Sequence, residues 1–233
     1  MRLAIMQPYF LPYVGYFHLL DAVDEFVFFD DVNFIKRGWV NRNNFLVQGR
    51  AHLFSVSLIG ASQNDLIKDV RINYTEKWKD NFIKILQFNY SKAKNYEAIF
   101  SFMNKYLSQD YEYISDLNIA IIEGICAYLE MEKTFKKSSS IAYDRAASAE
   151  GKILSICSVQ KATQYINPIG GLELYDKAQF TEKNIVLNFV QSEALSYEQH
   201  KGKEFVPHLS FLDMLMFCDV SQVKEHLKKY SLK

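Results

Sequence analysis

Asp30 and Asp31 stand side by side at the end of an apolar run, Glu25-Phe26-Val27-Phe28-Phe29. Paired carboxylates bind a divalent metal together with substrate phosphates, or one of them serves as a general base. Adjacent side chains on a strand point to opposite faces, so one of the two is expected to face a site. The alternative is a turn or helix cap. Directly after them come Lys36, Arg37 and Arg42, interleaved with Trp39, Asn41 and Asn43. Cations, side-chain amides and an aromatic plate suit a phosphate-linked sugar or nucleotide, and a guanidinium grips phosphate in a two-pronged geometry. A solvated loop with Trp39 folded onto the core is the plainer reading of the same residues.

A second polar, aromatic cluster lies upstream. This first motif in chain order, Met6 to Phe17, holds Gln7, Tyr9, Tyr13 and Tyr16, with Pro8, Pro12 and Gly15 fixing or freeing the backbone between them. Two of the chain's four prolines fall here. The other two are Pro168, before Gly170-Gly171, and Pro207, before His208. Gly170 and Gly171 are placed to offer backbone N–H groups to an anion, flanked by Tyr165 and Asn167. Of the five histidines (His18, His52, His200, His208, His226), no pair has ligand spacing, and no metal site is assigned. His208 is the catalytic candidate, close to Asp213, while His18 sits beside the first motif. Ser138 and Ser139 follow a possible strand and are candidates to bind a ligand or cap the next segment. No sequence context singles out one nucleophile.

The elements that must position these groups follow from pattern. Leu3-Ala4-Ile5 and Glu25 to Phe29 read as strands, joined by a short helix from Tyr16 to about Ala22, a crossover that favours a parallel pair. Residues 51–58 and 66–72 read as two strands of a hairpin. From Thr75, taken as an N-cap, to about Glu132 the period turns helical, with Trp78, Phe82, Ile85 and Leu86 on one face. Further helices are expected over Tyr96–Leu107 and Ser115–Leu129. Gly124 in the last of these either weakens it or admits a neighbouring helix. Beyond residue 133 strands and helices alternate: strands at Thr134–Lys137, Thr163–Asn167 and Ile185–Val190, helices at Glu150–Val159, Ser210–Cys218 and Val220–Lys229. The pattern predicts an α/β fold with a mainly parallel, Rossmann-like sheet. Residues 1–74 and 133–233 form its core, and 75–132 a helical insertion in the middle third. In a parallel sheet the strand ends converge on one edge, so the first motif, the 30–43 loop, 167–171 and 207–213 are expected to line one pocket.

Four segments, QPYFLPYVGYF, FFDDVNFIKRGWVNRN, YINPIGGLELYD and FVPHLSFLDMLMF, together resemble the WbqC-like family of bacterial proteins, in order and over nearly the whole chain. That family is associated with lipopolysaccharide O-antigen and other surface-polysaccharide gene clusters. The resemblance implies a pathway; it supplies neither a reaction nor catalytic residues. A shorter stretch, Phe10 to Tyr16, is similar to the strand-loop-helix of the HxGH nucleotidyltransferases, with Tyr13 and Tyr16 where that motif has histidines.

Composition bounds the rest. The 233 residues are 49% hydrophobic, enough for a large core. The 27 basic and 27 acidic residues cancel, which argues against nucleic acid as a partner. Cys126, Cys157 and Cys218 fit neither a zinc spacing nor a disulfide framework and read as buried thiols of a reducing compartment. No signal peptide and no apolar run of membrane-spanning length is visible, so a cytoplasmic location is expected. The function expected is a transferase of surface-polysaccharide assembly acting on a nucleotide-activated (amino) sugar, by acyl or aminoacyl transfer. The alternatives are a non-catalytic protein that binds a sugar nucleotide or glycolipid intermediate, and a nucleotidyltransferase. The expected partner is a small molecule, a nucleotide sugar or glycan precursor. The residues name no cofactor and no oligomeric state.

Overall fold

A computed structural model describes residues 1–199 and 204–233; His200 lies outside the described residues. In chain order the elements are β1 (Arg2–Met6), α1 (Val14–Ala22), β2 (Glu25–Phe28), β3 (Arg42–Val47), β4 (Arg50–Ser55), α2 (Trp78–Tyr90), α3 (Tyr96–Leu107) and α4 (Ile114–Tyr128). They continue with β5 (Thr134–Lys137), α5 (Ala149–Val159), β6 (Gln164–Pro168), α6 (Lys177–Glu182), β7 (Val186–Ser192), α7 (Phe211–Phe217), α8 (Val220–His226) and β8 (Tyr230–Leu232).

The central sheet has the order β5-β2-β1-β6-β7-β8. The pairs from β5 to β7 are parallel, and β8 closes the edge antiparallel to β7. Both faces are covered, as a parallel sheet requires. Successive residues of one strand therefore enter different cores. Ala4, Phe26 and Phe28 join the large cluster built with α1, α7 and the helices α2 to α4. Leu3, Ile5 and Val27 join a smaller one beneath α5 and α6. The four inner parallel strands end on one edge, which brings Gln7, Asp30, Asn167 and the last residue of β7, Ser192, to the same side of the sheet.

The mixed α/β architecture and the mostly parallel sheet are as the sequence pattern predicts. Two local expectations fail. Residues 50–55 pair with 42–47, not with 66–72. Their connection is the two-residue turn Gln48-Gly49, both with positive φ (51° and 77°), which matches the twist of a tight hairpin. Residues 67–69 are instead a single 3-10 turn, and only an isolated bridge, Leu58 to Ile72, joins the two segments. Thr75 caps no helix. Its backbone N–H and hydroxyl both donate to Asn73 Oδ1 in a local turn, and α2 begins three residues later, at Trp78. Gly124 does mark a close approach: a Cβ there would collide with the Tyr106 hydroxyl on α3.

Candidate functional site

The loop from Gln7 to Tyr13 has almost no secondary structure, so its carbonyls need partners from elsewhere. Buried side chains supply them. Tyr16 Oη donates to the Gln7 carbonyl (3.0 Å). Asn118 Nδ2, on α4, donates to Pro8 (2.9 Å) and Val40 (2.7 Å). Asn43 Nδ2, on β3, donates to Phe10 (3.2 Å) and Leu11 (2.7 Å). The Ser210 hydroxyl, just before α7, also donates to Leu11 (2.7 Å). Asn43, Asn118 and Ser210 are all buried. They hold Leu11 at φ 43°, a left-handed conformation made harder still by the following Pro12. Strain of this kind persists only where the surroundings over-determine it, and it gathers at functional sites.

That stitched loop forms one wall of a cavity of about 420 Å³. Tyr9, Tyr13 and Trp39 supply aromatic faces, Asn43 and Asn44 lie at its polar side, and His208 closes it. His208 is itself left-handed, at φ 59°, and so is Arg37, at 62°, two residues before Trp39. Burial raises the phenol pKa values of Tyr9 and Tyr13, so both keep their protons at neutral pH. A second cavity of about 350 Å³ shares Tyr13 and His208 with the first and is walled mostly by apolar side chains. The two residues thus stand between two adjoining chambers.

Several candidates read from the sequence meet here: Tyr9, Tyr13, Trp39, Asn43 and His208. Others are placed differently. Tyr16 is buried and committed to the Gln7 carbonyl, and Asn41 Nδ2 to Val56 (2.9 Å). Arg42 turns back on its own loop. It donates to the Gly38 carbonyl (3.0 Å) and to Arg37, with its guanidinium 5.8 Å from the Trp39 ring centre. It braces the segment that carries Trp39. Lys36 is exposed, with no ion pair among the described residues.

Asp30 and Asp31 follow β2, two and three residues beyond Phe28, but both face the end of β5. Asp30 accepts from the Ser139 amide (2.9 Å), the Ser139 hydroxyl (2.7 Å) and the Ser138 hydroxyl (3.0 Å). Asp31 accepts from the same Ser138 hydroxyl, from Tyr143 (2.9 Å) and from Arg145 Nε (2.9 Å). The pair clamps β2 to β5 through protein donors. Tyr165 donates to Asn167 Oδ1 (3.2 Å), and Asn167 in turn occupies the space beside Gly171; neither lines the aromatic cavity. Gly170 faces open space. Asp213 is wholly buried and accepts from Tyr90 (3.0 Å), Tyr197 (2.7 Å) and Gln199 (2.9 Å). Burial outweighs those three hydrogen bonds and pushes its pKa up to about 6. Among the described residues no three His, Cys, Asp or Glu side chains are grouped to hold a metal ion.

Asn118 and Ser210 carry the motif and were not expected from the sequence. Asn118 leaves a signal, an amide inside the apolar stripe of Leu117 and Ile121. Ser210 is a helix cap accepting from the Leu212 amide (3.2 Å), and its second bond spans 199 residues, beyond any local pattern.

The model of the WbqC-like protein family matches residues 7–225. The uncharacterized protein Rv1507c of Mycobacterium tuberculosis is 28% identical over 217 residues, covering 92% of each chain. No solved structure matches. No helix among the described residues is long and apolar enough to cross a membrane.

Proposed function

We propose that this chain, which belongs to the WbqC-like protein family, is a cytoplasmic transferase of surface-polysaccharide assembly that moves an acyl or aminoacyl group onto a nucleotide-activated amino sugar. The observation that carries this reading is the meeting of three aromatic side chains with His208 at the boundary of two cavities. Aromatic faces take the C–H faces of a sugar ring, and the Asn44 side chain orients its hydroxyls. The adjoining apolar chamber suits the acyl group. His208, at the junction, contacts the accepting amine or hydroxyl.

A non-catalytic binding protein is the second reading. Its support is that Asp30, Asp31 and Arg42 are already engaged by protein partners. A nucleotidyltransferase is less well supported, because Tyr16 is buried away from both cavities and only Tyr13 of the two motif positions lines them.

Titration with a panel of sugar nucleotides, with and without acyl thioesters, separates the readings. Trp39 reports binding, since the other tryptophan, Trp78, is buried. A transferase releases thiol and acylated sugar. His208→Asn then keeps affinity within a few-fold and lowers turnover by about 10²-fold or more, the usual contribution of a proton-transferring group. Binding without turnover establishes the module instead. No change in Trp39 fluorescence with any sugar nucleotide rules out the site.

A further inference from the structure

One titratable group on α1 has no part in the site described so far. His18, on α1, is buried, and its two ring nitrogens have fixed partners. Nε2 lies 3.1 Å from the His226 carbonyl, and Nδ1 lies 2.8 Å from the Ser192 hydroxyl. A carbonyl only accepts, so Nε2 must carry the proton. Nδ1 is then a lone pair, and the Ser192 hydroxyl donates to it. The result is an ordered array: serine hydroxyl, neutral imidazole, and an acceptor that fixes the imidazole's tautomer. Those are the roles a nucleophile, its base and the base's orienting group play in acyl transfer.

The surroundings distinguish this array from a buried histidine that merely has its hydrogen bonds satisfied. Ser192 is exposed at the carboxyl end of β7, on the sheet edge where ligands of parallel sheets bind. It lines the second cavity, whose walls include Val14, Leu195, Val206, Leu209, Phe211 and Met214. One end of the array is thus open to an apolar chamber while the base behind it is sealed from water. Burial also lowers the His18 pKa, which keeps the ring neutral and able to take a proton at pH 7.

We propose that Ser192 is an acyl-accepting nucleophile activated by His18, and that the apolar cavity holds the acyl chain of an acyl thioester. The hydroxyl proton passes to His18 Nδ1 as Oγ bonds to the thioester carbonyl carbon. The C–S bond breaks, and the leaving sulfur takes the proton from His18. In the second half the acceptor's amine or hydroxyl attacks the same carbon, its proton passes through His18 to Ser192 Oγ, and the acyl–Oγ bond breaks. The net change is acyl thioester plus acceptor giving acylated acceptor plus thiol. This deepens the acyl-transfer reading and rests on it for the nature of the acceptor. His208, across Tyr13, is the first group to take the acceptor's proton on that path.

The test uses the full chain with p-nitrophenyl esters of increasing chain length. A burst of p-nitrophenol and an ester adduct mapped to Ser192 are expected. The apparent affinity should tighten about three- to fourfold per added methylene until the cavity is filled. Ser192→Ala, at an exposed strand end, should abolish burst and adduct while melting cooperatively. His18→Gln should slow acylation by about 10²- to 10⁴-fold. Because His18 is buried and its replacement puts folding at risk, Ala194→Phe is the second probe: Ala194 is an exposed residue of the same cavity wall, and filling it should remove the chain-length dependence. An adduct at another residue, or an unchanged burst in Ser192→Ala, overturns the proposal and leaves the pair a structural hydrogen bond. Adding glucosamine to the acylated protein separates the two ideas. Acylated Ser192 that never passes its acyl group to an amino sugar supports the nucleophile and counts against the sugar acceptor. Transfer to glucosamine that survives Ser192→Ala does the reverse.

Discussion

Leu11 holds a left-handed backbone directly before a proline, and two side chains from distant elements, Asn43 and Ser210, grip its carbonyl. The same pattern, a polar group committed to structure rather than to solvent, governs Asp213. Its carboxyl ionises near pH 6 in the folded protein, against an ordinary value of 3.8. The folded state therefore binds more protons than the unfolded state between those values. Its contribution to stability is fully present below about pH 4, falls as pH rises to about 6, and is flat above that, a change of about 3 kcal/mol in all. Asp213→Asn removes this titration. The stability difference, wild type minus variant, should fall across pH 4 to 6 and then stay constant in urea denaturation series. A difference that does not depend on pH would show that the carboxyl is not desolvated as its position implies. Sequence reasoning found the polar residue types of the site better than their partners. Tyr9, Tyr13, Trp39 and His208 are legible because a rigid Pro/Gly loop and an aromatic loop announce themselves locally. The Ser192–His18 pair is not, since its members are separated by 174 residues and meet only because β7 and α1 pack at one sheet edge.

At the scale of elements, α1 is where the loop chemistry and the fold meet. Its second residue, Gly15, is not left-handed, so backbone freedom does not explain it. Space does: a Cβ there would collide with the Tyr13 ring. Alanine in a helix is ordinarily more favourable than glycine by about 0.5–1 kcal/mol. In Gly15→Ala that gain is opposed by displacement of Tyr13, the residue shared by the two cavities. The variant should melt within a few degrees of wild type yet lose ligand-induced change in Trp39 fluorescence. Gly170→Ala is the control, since nothing lies near its added methyl, and it should leave both measurements unchanged. An unaltered titration in Gly15→Ala would separate Tyr13 from the site. The helices and most parallel strands were readable from periodicity, and α3 spans the expected residues, Tyr96–Leu107. The β3–β4 hairpin was not, because its turn is Gln-Gly and β3 carries the polar sequence Arg42-Asn43-Asn44. β8, three residues on the sheet edge, is too short to leave a pattern.

For the whole molecule, the open question of organisation is whether residues 75–132 behave as an inserted unit or as part of the α/β core. Packing argues for the second. Phe82, Leu86, Ile99 and Ile125 from that segment share one continuous cluster with Phe17 of α1, Phe28 of β2 and Leu215 of α7. Asn118 of α4 reaches the Pro8 carbonyl in the first motif. Removing the middle helices would thus uncover part of one face of the sheet and release the loop that forms the site. The other face is tied to the same strands, because Leu3 and Ala4, or Val27 and Phe28, enter opposite cores from neighbouring positions. Two cores that share every central strand should be lost together. The cysteines provide the measurement. Cys126, on α4, lies in the large core, and Cys157, on α5, lies in the small one; burial pushes both thiols up to about 12. Neither reacts until its surroundings open, so its labelling rate reports the free energy of that opening. With a thiol reagent in a denaturant series, read site by site by mass spectrometry, both cysteines should give the same opening free energy, equal to that of global unfolding. Labelling of Cys126 at distinctly lower denaturant than Cys157 would instead define the middle helices as a separately unfolding unit, and the first motif would then open with them.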